Sequence, residues 1–184
     1  MRTLFNKNNP PPNLLLIDRD GVILKHKEPY ILKSDEIEFV AGSVEALQFI
    51  ASMGIPIAVV TNQSPISRGL IEETFVENTN CYIQKSLQLS NDQIKFYYCP
   101  HTAEDACFCR KPQTGMLEQA CIDFDKKASE CWMIGDHDTD MQAGINFGVS
   151  QRIHLLSGRQ NDKSAYATDI CLDLLSFVQK YFKN

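Results

Sequence analysis

Aspartate, threonine and lysine side chains follow or border the apolar runs of this sequence at four places. Carboxylates can attack a phosphoryl group or move protons, while hydroxyl and ammonium groups can bind its oxygens. The chemistry requires the fold to bring these groups together. The four segments are Asp18-Arg19-Asp20-Gly21, Thr61-Asn62-Gln63-Ser64, Arg110-Lys111-Pro112 and Asp136-His137-Asp138-Thr139-Asp140.

The aspartates are suited to covalent phosphoryl transfer assisted by a metal ion. Asp18 and Asp20 leave an apolar run two residues apart, so one can attack while the other handles a proton. A carboxylate that attacks a phosphoryl group is repelled by it unless a cation screens both charges. Mg²⁺ binds through a few carboxylates, waters and substrate phosphate, and Asp18 and Asp136 can supply such ligands. Asp20 is predicted to protonate the leaving oxygen and then to activate water against the aspartyl phosphate.

The other polar groups are predicted to bind phosphate. Thr61 can donate a hydrogen bond to a phosphate oxygen, and Lys111 can neutralise charge at the transferring group. Asn62 and Arg110, their sequence neighbours, are predicted to contact phosphate or substrate. Each feature also has an ordinary structural interpretation: a capped turn, a solvated lysine, or acidic residues at a helix N-terminus. Four such features at strand ends, in this order, favour a catalytic site.

The elements that must position these residues are short apolar runs alternating with amphipathic stretches. Helices are predicted at about 44–51, 72–87, 116–124, 138–147 and 168–182. This alternation predicts an α/β fold with a doubly wound, mostly parallel sheet, Rossmann-like in type, whose ligand lies beyond the carboxyl ends of the strands. The predicted strands are Leu14–Ile17, Ile55–Val60, Ile94–Tyr98, Cys131–Ile134 and Ile153–Leu156.

Composition and charge exclude several classes of function. The chain has 184 residues and a net charge of −5, which argues against a broad nucleic-acid surface. Neither an export signal nor a run long enough to span a bilayer is visible, so we expect a cytoplasmic, non-membrane protein. We expect a loosely ordered tail over residues 1–12, one domain over residues 13–184, and a monomer.

A compact cluster of cysteine and histidine predicts a second metal site. The spacing C-x-H-x5-C-x-C brings together Cys99, His101, Cys107 and Cys109 within eleven residues. Four such ligands suit tetrahedral Zn²⁺ in a closed, structural site. Free thiols with a hydrogen-bonded histidine are one alternative, and a nucleic-acid zinc knuckle is another, although basic and aromatic flanks are missing. The loop runs into Lys111, so a metal would fix the direction of that lysine. The remaining cysteines are predicted to be buried small hydrophobic residues: Cys81, Cys121, Cys131 and Cys171.

The motifs DRDGVI, VVTNQS, RKP and IGDHDTD resemble those of the haloacid-dehalogenase-like phosphatases, over about Leu14 to Leu156. The resemblance implies Asp18 as nucleophile and Asp20 as acid and base, with the threonine and lysine named above on the phosphate. It also implies Mg²⁺ bound by Asp136 and the backbone carbonyl of Asp20, with Asp140 in support. No long insert follows the first motif or separates the second from the third, so we expect loops and no separate cap domain.

One branch of that family shares the cysteine-rich loop before Arg-Lys-Pro. The sequence is similar there to the D-glycero-D-manno-heptose 1,7-bisphosphate phosphatases and to the histidinol-phosphate phosphatases. Ser64, Arg68-Gly69 and Gly115-Met116-Leu117 favour the heptose enzymes. Two departures bear on specificity: Pro65 replaces a usual glycine, and His137 replaces a usual lysine.

The expected substrate is a sugar bisphosphate, and three side chains can contact it: His26, Arg110 and His137. Histidinol phosphate is the alternative substrate, because Asp138 could bind its cationic amine. A third alternative belongs to another class, an inactive binding protein stabilised by zinc. The complete set of catalytic residue types argues against it.

Overall fold

The computed structural model describes residues 10–160 and 162–183. The tail predicted to be loosely ordered falls mainly on residues 1–9, which lie outside the described residues. Pro12, at the end of that predicted tail, is buried. Within the described part of the chain, no helix has the length and apolar character needed to cross a membrane.

Within residues 10–160 and 162–183, six strands and five α-helices, numbered here in chain order, form the fold. The strands are β1 Leu14–Ile17, β2 Ile57–Asn62, β3 Ile94–Cys99, β4 Cys131–Gly135, β5 Gln151–Leu155 and β6 Asp169–Cys171. The helices are α1 Ser43–Ser52, α2 Glu73–Leu87, α3 Gly115–Phe124, α4 Asp138–Phe147 and α5 Leu174–Phe182. All strand pairs are parallel, in the order β3-β2-β1-β4-β5-β6.

Apolar cores on both faces explain why the inner strands are continuous hydrophobic runs. Leu15 and Ile17 of β1 point into a core formed with α1 and α5. Leu14 and Leu16, on the opposite face, belong to a core formed with α3 and α4. The alternation follows from the two-residue period of a strand. The prediction of a doubly wound parallel sheet is therefore confirmed.

The C-terminal prediction was wrong at its start. Residues 169–171 form β6 and pair with β5, whereas a continuous helix was expected from residue 168. The helix begins only after Asp173, whose carboxylate accepts a hydrogen bond of 2.7 Å from the Ser176 N–H. An aspartate that caps a helix in this way marks its first turn, so the preceding residues are free to extend the sheet.

The strand order reverses between β1 and β4, and the predicted polar segments meet there. Ile17 pairs with Val59 on one side and with Ile134 on the other. The residues that follow these three therefore emerge side by side at the carboxyl edge of the sheet, where ligands of such folds bind. The segment between β1 and α1 folds over this edge as loop, with a 3-10 turn at Ser34–Glu36.

Candidate active site

A cavity of about 220 Å³ opens at this edge of the sheet. Its walls contain every residue predicted to take part in catalysis, phosphate binding or magnesium binding. These residues are Asp18, Asp20, Thr61, Asn62, Arg110, Lys111 and Asp136.

Lys111 lies buried at the floor of the cavity and holds several elements together. Its Nζ lies 2.6 Å from Asp18 Oδ1 and 2.6 Å from Asp140 Oδ1, and it donates to the Val60 carbonyl at 2.7 Å. Burial lowers the pKa of Lys111, but the charges of Asp140 and Asp18 outweigh burial and raise it above its ordinary value. The lysine is therefore a permanent positive charge at the carboxyl ends of β1 and β2.

Asp18, Asp136 and Asp140 are buried together, and each offers a carboxylate oxygen within 4.8 Å of the others. With Lys111 they form what we call the carboxylate cluster. Burial holds the pKa of Asp18 well above its usual range, although Lys111 opposes this. Burial also raises the pKa of Asp136 to about 6, and the charge of Asp140 adds to the effect. Three acids share one lysine, so a hard divalent cation fits the remaining oxygens and would relieve their repulsion.

Two glycines leave room for the Asp136 carboxylate. A Cβ atom on Gly21, whose φ is +92°, would clash with Asp136 Oδ2, and a Cβ atom on Gly158 would clash with the same oxygen. The backbone N–H of Arg159 donates to that oxygen at 2.6 Å. The loops after β1 and β5 therefore approach Asp136 closely, and side chains there would displace it.

Asp20 faces the cavity from a separate set of partners. Both of its oxygens accept from Arg19, at 3.0 Å each, and Gln63 donates to Oδ2 at 2.8 Å. Burial raises the pKa of Asp20, but Arg19 and Gln63 together lower it below its ordinary value. The same Gln63 amide donates to Thr61 Oγ1 at 3.0 Å, which leaves the Thr61 hydroxyl proton free for a phosphate oxygen.

Asn62 supports the lysine directly. Its side-chain oxygen accepts from the Lys111 N–H, and its amide donates to the Lys111 carbonyl, both at 3.0 Å. The two bonds fix the backbone of residue 111 against the end of β2. Contact between Asn62 and phosphate stays a prediction.

Of the four residues proposed to discriminate between substrates, three line the cavity and one does not. Arg110 lines it and donates to the His101 carbonyl at 3.0 Å, while His137 lines it and caps α4. Burial lowers the pKa of His137. His26 lines the cavity and contacts Glu28 at 2.9 Å. Asp138, the residue that could bind a cationic amine, is absent from the cavity wall, and its carboxylate accepts from Gln160 at 3.3 Å.

Sequence reasoning missed Arg19, Gln63 and Arg159. The first two lie inside the quoted motifs, but a strand-end arginine and a turn glutamine are usually solvated, and only their burial shows their role. Arg159 lies outside every motif, and no local signal indicates it.

Cys99, His101, Cys107 and Cys109 converge as predicted, and we call them the thiol–imidazole cluster. Their donor atoms are separated by 3.2–3.5 Å in all recorded pairs. These distances are close to the edge of about 3.8 Å expected between sulfurs around tetrahedral zinc, and the cysteines are free thiols. The Arg110 N–H donates to Cys107 Sγ. Burial raises the pKa of Cys107, but this bond and those from its neighbours bring it down to about 7. The donor set fits a zinc ion.

Three of the other cysteines are buried, as predicted: Cys121, Cys131 and Cys171. The prediction for Cys81 was wrong, since this residue is exposed on α2. The buried face of that helix is formed by Val76, Ile83 and Leu87, so Cys81 falls on the solvent side.

A parallel Rossmann-like sheet with an acidic, lysine-bearing cavity at its switch point is typical of enzymes that bind a divalent cation and a phosphorylated substrate. A model of the haloacid dehalogenase-like hydrolase family matches residues 4–148. The chain belongs to this family, and the resemblance inferred from the motifs is confirmed.

The chain is also similar in sequence to named phosphatases. The chain is 36% identical over 131 residues to D-glycero-beta-D-manno-heptose-1,7-bisphosphate 7-phosphatase of Neisseria meningitidis, covering 71% of this chain and 70% of the relative. It is 35% identical over 144 residues to the Helicobacter pylori enzyme of the same name, covering 77% and 83%. The D-glycero-alpha-D-manno-heptose-1,7-bisphosphate 7-phosphatase of Campylobacter jejuni is 36% identical over 140 residues, covering 76% and 80%. The prediction that the chain is a phosphatase of this family is confirmed.

A solved structure shows the same fold. The D,D-heptose 1,7-bisphosphate phosphatase of B. bronchiseptica, in complex with magnesium and phosphate, superposes with a TM-score of 0.81 at 24% identity. The match covers 91% of this chain and 96% of that one.

Proposed function

We propose that the chain hydrolyses phosphomonoesters with Mg²⁺ through an aspartyl phosphate on Asp18. The observation that carries this proposal is the buried carboxylate cluster with its single lysine at the switch point of the sheet. Mg²⁺ bound by Asp18, Asp136 and the Asp20 carbonyl would screen the attacking carboxylate from the phosphate.

In the first step, Asp18 attacks phosphorus with a carboxylate oxygen. Lys111 holds Oδ1, so the other oxygen is available to form the new O–P bond. The bond between phosphorus and the leaving oxygen breaks, and Asp20, which takes up a proton when the anionic substrate binds beside it, gives that proton to the leaving oxygen. Thr61 donates a hydrogen bond to a phosphoryl oxygen. The charge of Lys111, whose three N–H donors already have partners, stabilises the negative charge that moves onto these oxygens.

In the second step, Asp20 accepts a proton from water. The resulting hydroxide attacks phosphorus, the Asp18–phosphorus bond breaks, and inorganic phosphate leaves. Asp20 is then protonated again and Asp18 is free, so both side chains return to their starting states.

Phosphate release distinguishes this enzyme from an inactive, zinc-stabilised binding protein. The purified chain should release phosphate from sugar phosphates with Mg²⁺, stop when EDTA is added, and resume when Mg²⁺ is restored. Mg²⁺ has few protein ligands and exchanges readily, whereas zinc in a closed thiolate site stays with the protein. A chain that releases no phosphate from any ester at saturating Mg²⁺ is not the proposed enzyme.

We further propose a D-glycero-D-manno-heptose 1,7-bisphosphate as substrate, cleaved at C7. The names of the relatives support it, and so does the charge around the cavity, whose walls contain the basic side chains of Lys27, Arg110 and Arg159. A second phosphate must be held away from the reacting centre, and arginine suits such an anion. Histidinol phosphate is disfavoured because Asp138 does not line the cavity.

The substrate test compares kcat/KM for the heptose bisphosphate and histidinol phosphate at saturating Mg²⁺. The bisphosphate should be preferred, and Arg110→Ala should weaken it selectively, while Lys85→Ala on the exposed face of α2 should change neither. A tenfold preference for histidinol phosphate, about 1.4 kcal/mol in the transition state, would make the heptose proposal wrong. Equal losses for both substrates would show that Arg110 serves only the reacting phosphate.

Zinc in the thiol–imidazole cluster is proposed as a structural ion. It would hold Arg110, and with it Lys111, through the Cys107 contact. A cytoplasmic location and a monomeric state also stay proposals, and sedimentation of the purified chain tests the second.

A further inference from the structure

Arg19 lies between the two motif aspartates and is buried, with only 1% of its surface exposed. All of its terminal nitrogen groups have partners. Nε and Nη2 donate to the two oxygens of Asp20 at 3.0 Å each, and Nη1 donates to Asn80 Oδ1 on α2 at 3.2 Å.

A guanidinium cannot lose its proton under ordinary conditions, so burial requires an anion close by. Among the described residues, the one ion pair recorded for Arg19 is with Asp20. Two parallel bonds hold the carboxylate in the plane of the guanidinium, which fixes its rotation as well as its distance. Asn80, itself buried, anchors the other end of Arg19 to α2.

The two motif aspartates therefore have separate cations. Lys111 holds Asp18, and Arg19 holds Asp20. The side chain of Asp20 is 26% exposed and lines the cavity, whereas that of Asp18 is 11% exposed. Lys111 also attracts Asp20. Without the guanidinium fork, Asp20 could turn towards the carboxylate cluster and away from a leaving group.

We propose that Arg19 is a positioning residue that holds the Asp20 carboxylate at the leaving-group side of the cavity. This inference rests on the proposed function, in which Asp20 protonates the leaving oxygen. Arg19 is buried and is absent from the cavity wall, so it acts through Asp20.

The test compares the effect of Arg19→Lys on kcat/KM for two phosphate esters that differ in their leaving groups. Lysine keeps the charge but loses the fork. An alkyl phosphate needs a proton on its leaving oxygen, whereas 4-nitrophenolate leaves from its phosphate ester without one. The variant should lower kcat/KM for the alkyl ester by about tenfold or more, within the range of a positioned acid, and for the aryl ester by less than about threefold. A purely structural role would lower both equally and would contradict the proposal.

A double-mutant cycle with Asp20→Asn gives the second readout. If Arg19 acts through Asp20, Arg19→Lys should cause no further loss on the alkyl ester in the Asp20→Asn background. A loss as large as in the wild-type background would overturn the inference.

Asn80→Ala decides the question if Arg19→Lys does not fold. It removes only the anchor on α2, and should show the same leaving-group selectivity with a smaller loss. Asn78→Ala, at an exposed position of the same helix, is the matched control and should change neither ester. An Asn80→Ala variant that affects both esters equally, or neither, contradicts the proposal. Failure of the wild-type chain on both esters would instead refute the proposed function, so the two failures are distinct.

Discussion

The carboxylate cluster and the thiol–imidazole cluster are both sets of four polar groups, but they are assembled in opposite ways. The thiol–imidazole ligands come from eleven consecutive residues, which comprise the last residue of β3 and the loop that follows it. The carboxylate cluster combines residues that are distant in sequence. Asp18 follows β1, Asp140 lies in α4, and the lysine lies between β3 and α3. The first set is already close in sequence and could hold its loop through a bound metal, whereas the second needs the sheet to bring distant residues together.

The difference predicts where each cluster is sensitive. Loss of a ligand from the loop should lower stability, because a closed metal site contributes folding energy. Loss of an acid from the sheet edge should remove the chemistry and leave the fold, because the sheet is held by its apolar cores. The Cys107–Arg110 contact links the two clusters, so damage to the loop can still reach Lys111.

Asp18→Asn should produce the largest loss of turnover, and it is the most direct test of the difference between the two clusters. An amide cannot attack phosphorus, so turnover should fall by at least about 1,000-fold. The melting temperature should stay equal or rise, because a buried charge beside two other acids is removed. Phosphate release and thermal unfolding measure the two effects. Turnover at the wild-type rate would exclude the covalent mechanism.

Lys111→Met should damage both activity and stability, and so tests how strictly the two clusters differ. It leaves Asp18 and Asp140 buried without their cation, which typically costs about 3–5 kcal/mol. Turnover should fall by about 100-fold or more, since charge on the phosphate is no longer neutralised. Addition of Mg²⁺ should restore part of the lost free energy of unfolding, as measured by urea unfolding. Lys85→Met is the control. An equal loss of stability in that variant would show that the loss does not come from buried acids without their cation.

Cys107→Ser should lower zinc content and the melting temperature while Mg²⁺-dependent turnover persists at low temperature. A decrease of at least about 4 °C corresponds to roughly 1–2 kcal/mol in a chain of this length. Cys81→Ser removes an exposed thiol outside the cluster and should change neither property. Less than one zinc per wild-type chain, measured on freshly purified protein, would argue against this metal site.

Arg159→Ala should have the smallest effect. Its side chain is 60% exposed, and its nearest recorded charge is Glu28 at 4.0 Å. Exposed ion pairs contribute about 0.2–1 kcal/mol, so KM for the bisphosphate should rise by about two- to fivefold. The matching monophosphate should be unaffected, because the backbone N–H that binds Asp136 remains. Equal changes in KM for the bisphosphate and the monophosphate would show that Arg159 does not bind the second phosphate.

The parallel sheet could be predicted from the sequence because each inner strand is buried on both faces and leaves a continuous apolar run. The short edge strand β6 could not, since its residues read equally well as the start of the helix that follows. Asp173 resolves the ambiguity as a cap, but an aspartate is common in turns and loops as well.

The sequence by itself determined the family, and it predicted the reacting aspartates and the thiol–imidazole cluster, because these residues lie in short motifs whose spacing is local. Tertiary structure alone decided which cation each aspartate meets. Lys111 reaches Asp18 across 93 residues of chain, and Arg19 turns back onto its neighbour because Asn80 holds it from α2. It also decided that Asp138 turns away from the cavity while Arg159 enters its wall. Burial and direction of side chains depend on packing between distant elements, and no local pattern of residue types records that packing.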